Sequence, residues 1–394
     1  MDVVLMTFVD FEHTQSSGLI KKIEGQAKGF RYFGCKVALG YYRKDLYCID
    51  LPDGKTICRY ANSTNRILYR KAAYQSIEDY LKYRKNTDLL FIRSLYCDFQ
   101  LITFLKKIKK YVNKIVLEIV TYPFDGEIKR NIRYAFKEYK FKRVFIEIIK
   151  YVAYLLSRNF LKFYVDYIVV YGNSDKYIWG IPSIILDNGI DTENIRKRVP
   201  KNLKNNKIVM LGVAGLADVH GYDRVIKGIA NYYKKYNNKP EVDVEFKIVG
   251  IGIELPRLQE LVKKLDVENY VKFLGFKSGN ELDDEYDNAD VAVSALALHR
   301  IGLKDGSPLK LREYCAKGIP FIYAYEEKNL DENVPFALKL EANDSDINID
   351  QIVDFSMRCR NIDNITDIIR QYAEENYEWK VQIGKLLKTL GGCL

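Results

Sequence analysis

One pattern constrains the fold of this chain more than any other: short apolar runs of strand length alternate with helical segments along its whole length. Apolar runs bounded by turn residues read as strands, and strands separated by amphipathic helices read as parallel α/β units. In the first half the runs are Val3–Val9, Cys35–Tyr42, Leu89–Ile92, Ile115–Val120 and Tyr167–Tyr171, with helical patterns such as Leu19–Phe33 and Phe99–Val112 between them. The second half repeats the theme with Ile208–Val213, Glu245–Val249, Val271–Leu274, Val291–Ser294 and Ile319–Ala324. At 394 residues the chain exceeds one ordinary domain, and two domains of roughly 150–200 residues are expected.

A seam separates the halves. Ile184-Ile185-Leu186 is followed by the turn-forming Asp187-Asn188-Gly189-Ile190-Asp191 and then by a polar, lysine- and asparagine-rich stretch before the next apolar run. The boundary is therefore expected near 190, giving a first domain over 1–190 and a second over 191–394. The last helical stretch, about 362–390 and containing Trp379, is expected to cross back to the first domain.

Charge divides along the same line. The net charge is +10, yet residues 1–190 hold 32 Lys+Arg against 19 Asp+Glu, while the remaining residues hold 30 against 33. Within the first half, residues 101–165 carry 15 basic and 5 acidic side chains interleaved with Tyr, Phe and Ile. A solvated face is the plain reading of such a stretch. An anionic membrane surface is the functional one, because cations interleaved with aromatics suit that interface. No nucleic-acid motif supports a nucleic-acid partner. The apolar stretch Val144–Leu156 is broken by Glu147 and Lys150 and is shorter than the roughly 20 residues of a span. The start, MDVVLMTFVDFE, has no basic leader and reads as a first strand. Seven scattered cysteines, none spaced C-x-x-C, point to reduced thiols in the cytoplasm. With three histidines in the chain, no metal centre is expected.

The segment richest in chemistry is 301–320, IGLKDGSPLKLREYCAKGIP. Ser307-Pro308 has the form of a helix start, serine accepting from free amides and proline preset for the first helical position. Asp305-Gly306 supplies the turn before it. A helix entered this way presents backbone N–H groups and a positive dipole end to an anion. Lys310 adds a point charge. Glu313, about a turn and a half further in, is an acceptor-only carboxylate suited to the two vicinal hydroxyls of a ribose. The plain alternative is that Asp305 complements the dipole and Glu313 pairs with Lys317.

Asp305-x(7)-Glu313 followed by Ala316-x-Gly318-Ile319-Pro320 resembles the E-x(7)-E…A-x-G-x-P signature of retaining GT-B glycosyltransferases, specifically the glycosyl transferases group 1 superfamily. Four further stretches resemble it in the right order: Asn188-Gly189-Ile190-Asp191, Val249-Gly250-Ile251-Gly252-Ile253-Glu254, Val271-x-Phe273-Leu274-Gly275 and Asp290-Val291. The resemblance implies two Rossmann-like domains facing across a cleft, with donor on the second and acceptor on the first. It implies that Glu313 holds the ribose, that the backbone around Gly306, Ser307, Pro308 and Leu309 approaches the diphosphate or sugar through its amides, that Asp305 sits beside the transferred sugar, and that Phe273, Leu274 and Gly275 line the base.

Two departures stand out. The family has Glu where this chain has Asp305, and it has a G-R-x…K-G pair of cations where this chain reads Val213-Ala214-Gly215-Leu216-Ala217-Asp218-Val219-His220-Gly221. Arg224 and Lys310 are the candidates to replace the missing charge beside His220 and Gly221, since a leaving diphosphate needs cations. His299 is a further candidate at the sugar. In the first half, Ser17 and Gly18 stand where the family's glycine-rich loop lies. Glu118 ends a strand at the carboxyl edge, where it would face an acceptor hydroxyl. The expected activity is transfer of a hexosyl unit from a nucleoside diphosphate sugar, UDP favoured over GDP, to a lipid-linked or polysaccharide-precursor hydroxyl in bacterial surface glycan synthesis. No cofactor is implied. A nucleotide-sugar epimerase or a catalytically silent partner subunit on the same fold remain alternatives.

Overall fold

The computed structural model describes all residues except 14–15, 95–96, 120–121, 123–127, 129–130, 135, 137–140, 172–174, 202–205 and 392–394, and the side chains of 17, 66 and 143. The chain forms two compact units, Met1–Gly189 with Trp379–Leu394, and Ile190–Glu378.

Unit 1 is built on a nine-stranded sheet. Its strands are β1 (Asp2–Asp10), β2 (Lys36–Arg43), β3 (Leu46–Asp50), β4 (Thr56–Tyr60), β5 (Thr87–Ser94), β6 (Val112–Ile119), β7 (Tyr167–Tyr171), β8 (Tyr177–Ile178) and β9 (Ile181–Leu186), in the order β4-β3-β2-β1-β5-β6-β7-β9-β8. The strands β2-β1-β5-β6-β7-β9 run parallel, with α1 (Ser17–Tyr32), α2 (Arg66–Arg84), α3 (Phe99–Ile108) and α4 (Phe141–Ser157) between them. This is a doubly wound order that reverses direction at β1/β5. The parallel strands are buried along most of their length, because helices cover such sheets on both faces.

The antiparallel meander β2-β3-β4 has no clear signal in the sequence, since the edge strand β4 is almost wholly exposed and reads as loop. Its register sets Cys48 directly opposite Cys58, and the two form a disulfide. The expectation of reduced thiols is therefore corrected for this pair: scattered spacing in sequence says nothing about cross-strand register. Cys35, Cys97, Cys315 and Cys359 are free and buried.

Unit 2 carries six parallel strands, β10 (Lys207–Val213), β11 (Asp243–Val249), β12 (Val271–Gly275), β13 (Val291–Val293), β14 (Phe321–Tyr323) and β15 (Ala337–Lys339). Their order is β12-β11-β10-β13-β14-β15, so the winding reverses between β10 and β13. Its helices are α5 (Tyr222–Lys235), α6 (Leu255–Lys264), α7 (Gly279–Asp287), α8 (Leu309–Lys317), α9 (Ile349–Arg360) and α10 (Ile365–Asn376). Met210, Phe246, Ile248, Val291, Val293 and Ile322 form the centre of its core.

The single helix expected over 362–390 is two. After α10 the chain breaks at Tyr377-Glu378, where the Ile190 amide donates to the Tyr377 carbonyl at 2.7 Å and the Thr192 amide to Glu378 Oε1 at 3.1 Å. The final helix, α11 (Trp379–Thr389), belongs to unit 1 and packs on α1. Glycines make that packing possible. A Cβ at Gly25 or Gly189 would overlap the Trp379 indole, and one at Gly29 would meet the Trp379 carbonyl and Ile383. Gly25→Ala should gain about 1 kcal/mol of helix propensity but lose about 1–3 kcal/mol to overpacking. We expect net destabilisation in urea unfolding, reverting to net stabilisation in a Trp379→Ala background. A Gly25→Ala chain as stable as the parent would contradict the cradle.

Candidate functional site

In an open α/β sheet, ligands bind outside the carboxyl ends of the strands where the winding reverses. In unit 2 that point lies between β10 and β13, and glycines shape both sides of it. The loop after β10 is zipped to the loop after β11 by Ala214 N–H to Val249 O and Leu216 N–H to Ile251 O, both 2.9 Å. A Cβ at Gly250, whose φ is +128°, would overlap the Ala214 carbonyl, and one at Gly252 would overlap that of Leu216. Only glycine admits this approach. On the other side, Leu296 N–H donates to His220 O at 3.1 Å and Ala297 N–H to Val219 O at 3.0 Å. Gly221 closes the 3₁₀ turn Asp218–His220 with φ +63°, its α-carbon pressed on Leu296 and Ala297. Of the expected base-lining residues, Phe273, Leu274 and Gly275 are half-buried at the end of β12. The Gly275 carbonyl accepts from Gly250 N–H at 2.6 Å.

The approach to α8 is also fixed by backbone. Gly306 N–H donates to Glu326 O at 3.1 Å and Glu326 N–H to Lys304 O at 2.8 Å, pinning the strip that carries Asp305. The helix begins at Leu309, one residue later than the sequence suggests. Pro308 occupies the cap position in an extended conformation, and its ring offers the first turn no acceptor. The Ser307 Oγ accepts from Arg312 Nη2 at 2.8 Å, because the fully buried Arg312 must satisfy its guanidinium inside the fold. Arg312 also pairs with buried Glu327 at 2.9 Å and lies 3.9 Å over the Tyr377 ring. Its only sequence signal is its position between Leu311 and Tyr314, both core residues.

Lys310 and His220 meet. Lys310 Nζ is 2.9 Å from His220 Nε2. Burial lowers the Lys310 ammonium to about 7, against the opposing pull of the Glu313 carboxylate. His220 Nδ1 lies 3.1 Å from both the amide and the carbonyl of Ala217. Glu313 is half-buried, and its charge adds to the burial that pushes the Tyr286 and Tyr314 hydroxyls upward. Lys317, its partner in the plain reading, is bound by Asp283 and lies 5.4 Å over the Tyr286 ring. Asp305 Oδ2 accepts from Lys328 Nζ at 2.6 Å. His299 Nε2 lies 3.2 Å from Asp344, and its Nδ1 is buried with no hydrogen-bond partner among the described residues.

Arg224 does not supply the missing cation. It is 1% exposed and spends its donors on Ser345 O at 2.8 Å, Glu341 O at 3.0 Å, Leu296 O and Asn343 Oδ1. A buried guanidinium that ties three loop carbonyls together has no geometry left for an external diphosphate. Arg300, just past His299, is likewise committed, bidentate to Asp223 at 3.0 Å.

In unit 1, Glu118 does not face an acceptor. It is fully buried, with Lys22 Nζ at 2.8 Å, Arg93 beside it and Gln26 Nε2 at 3.3 Å. Burial would raise its carboxyl, but Arg93 and Lys22 outweigh burial and hold it at about 2. Burial lowers Lys22 to about 7 despite Glu118. Lys22 also donates to Asn188 at 2.6 Å and sits 3.6 Å over the Tyr171 ring. The strand end points inward because β6 is central in its sheet. Gly18 is exposed with open space around its α-carbon, and the Ser17 side chain lies outside the described residues.

Removing Glu118 would leave two buried cations, so Glu118→Ala should cost about 3–5 kcal/mol. The stability from its charge is full above the usual carboxylate range. It is lost only as pH falls from about 4.5 toward about 2. Acid titration of the parent and of Glu118→Gln checks this; identical acid-unfolding profiles would contradict it.

The chain is 26% identical over 125 residues to alpha-monoglucosyldiacylglycerol synthase of Acholeplasma laidlawii, covering 32% of this chain and 29% of that protein. It is 29% identical over 161 residues to an uncharacterized glycosyltransferase of Haemophilus influenzae, covering 40% and 41%. The chain thus matches less than half the length of these relatives. Its fold matches the sucrose-phosphate synthase of Thermosynechococcus elongatus with TM-score 0.64 at 14% identity, covering 99% of both chains. The fold is GT-B, with two Rossmann-like units. Residues 191–335, which contain the crevice and the start of α8, match the family described as Glycosyl transferases group 1.

Proposed function

We propose that the protein is a retaining glycosyltransferase that takes a hexosyl unit from a nucleoside diphosphate sugar, UDP-linked in preference to GDP-linked, and transfers it to a hydroxyl. The observation that carries this reading is the pairing of Lys310 with His220 beside the first turn of α8, with Glu313 further along the same helix. Two bases in contact beside Glu313 hold a second proton more cheaply when a further anion sits against them. A diphosphate supplies that anion. The amino end of the helix and its dipole add to it, and charge that grows on the leaving diphosphate is met by groups already in place. With Arg224 committed elsewhere, Lys310 is the cation of the site and His220 lies against it. Glu313 takes the ribose hydroxyls, and Asp305, released from Lys328, takes a hydroxyl of the sugar.

The acceptor is proposed to be lipid-linked or a polysaccharide precursor, and the relative named for making monoglucosyldiacylglycerol favours the lipid side. A transferase releases nucleoside diphosphate only when an acceptor is present, whereas an epimerase converts the nucleotide sugar alone.

Thermal-shift titration with UDP, GDP and ADP tests the donor. A ligand at about 100 times its Kd stabilises the folded state by about 2.7 kcal/mol, and we expect UDP to give the largest shift and Glu313→Ala to abolish it. Unchanged UDP binding by Glu313→Ala would sink the assignment. The anion favours the ammonium form, so UDP affinity should be full below about pH 7 and fall as pH rises above it. Lys310→Met should weaken binding about tenfold below pH 7 and flatten that profile; calorimetric titration across the range reads both.

A further inference from the structure

Helix α4 is apolar on its outward side as well as on the side that packs into the core. Its inward side packs through Tyr154, which is buried beside the Trp179 ring at 5.7 Å, and through Ser157, whose hydroxyl reaches Cys97 Sγ at 3.3 Å. Its outward side carries Phe141, Phe145, Ile148, Ile149, Val152 and Leu156, each between 44% and 64% exposed. These residues fall at i, i+4, i+7, i+8, i+11 and i+15, one continuous stripe along the helix. The stripe extends into the following 3₁₀ segment, where Phe160 and Phe163 are 48% and 64% exposed. A run of this length exceeds the scattered apolar residues normal on a protein surface and marks an interaction face.

Charge says what covers it. Lys142 and Lys162 are exposed at the two ends of the stripe, and α3, which packs against α4, ends in exposed Lys106 and Lys107. The one carboxylate on α4, Glu147, is tied to Lys150 at 2.7 Å. A protein partner with an apolar groove would account for the stripe but not for cations along its margins. A second copy of the chain would set those cations against each other. A leaflet with anionic headgroups accounts for both features, because an in-plane helix buries its apolar face at the acyl boundary while flanking lysines reach the phosphates. No helix among the described residues is long and apolar enough to cross a membrane.

We infer that the α4 stripe and the following Phe160 and Phe163 seat this protein on the surface of an anionic bilayer. The inference goes beyond the glycosyltransferase reading and does not rest on it. On that reading, the seat delivers the enzyme to hydroxyl acceptors anchored in lipid.

The test is sedimentation of the full chain with vesicles of mixed phosphatidylglycerol and phosphatidylcholine, and with phosphatidylcholine alone. Wild type should bind the anionic vesicles at least tenfold more tightly than the neutral ones. Phe145→Glu/Ile149→Glu should weaken anionic binding at least tenfold while near-ultraviolet circular dichroism stays native. Lys142→Glu/Lys162→Glu, which leaves the apolar stripe intact, should weaken binding at low salt and match wild type at high salt. Wild type remaining in solution with anionic vesicles would overturn the inference. So would a native Phe145→Glu/Ile149→Glu chain that binds as tightly as wild type, or a wild-type dimer that this variant dissociates. Turnover is not read, so UDP binding without vesicle binding removes the seat alone, and the converse removes the donor reading alone.

Discussion

The absence of a side chain at residue 250 decides the geometry of the crevice at the carboxyl edge of unit 2. Gly250 adopts φ +128° with the Ala214 carbonyl lying where a Cβ would stand, and Gly252 does the same for Leu216. These two approaches join the loops after β10 and β11 into one backbone lattice. The lattice positions Asp218–His220, and His220 in turn meets Lys310 on the first turn of α8. Replacing either glycine would move the whole carboxyl edge, because the obstacle is main chain and cannot turn aside as a side chain can.

Buried charge in this protein divides into two kinds. Arg312 with Glu327, Arg224 with its ring of carbonyls, and Glu118 with Lys22 and Arg93 have their partners inside the fold. They hold elements together at the cost of desolvation that their partners offset. Lys310 differs, since another base lies against it and burial outweighs the pull of Glu313 to hold its ammonium down to about 7. An arrangement that is poor for stability and good for an anion is the usual mark of a site.

Several features were legible from residue types alone. The ten apolar runs are strands, and their alternation with helices gave the parallel α/β architecture, because burial on both faces demands near-continuous apolar strands. The E-x(7)-E-like spacing and the V-G-x-G-x-E stretch marked the segments that surround the crevice. The meander β2-β3-β4 was not legible, since an exposed edge strand such as Thr56–Tyr60 has no apolar signature. The Cys48–Cys58 bridge was hidden for the same reason, as it follows from that register.

The direction in which a charged side chain points was beyond the reach of pattern. Arg224, Glu118 and Arg312 are indistinguishable in sequence from residues that face a ligand, and each is turned inward by which neighbours its element packs against. Ser307 reads in sequence as a helix-start residue, and the fold sets its hydroxyl to accept from the buried Arg312. Sequence alone determined the strands, the fold class and the stretches where chemistry gathers, because hydrophobic periodicity and glycine placement are local properties of the chain. Tertiary structure alone decided which charges neutralise one another and which stand against another base, because that depends on contacts between residues such as His220 and Lys310, ninety positions apart.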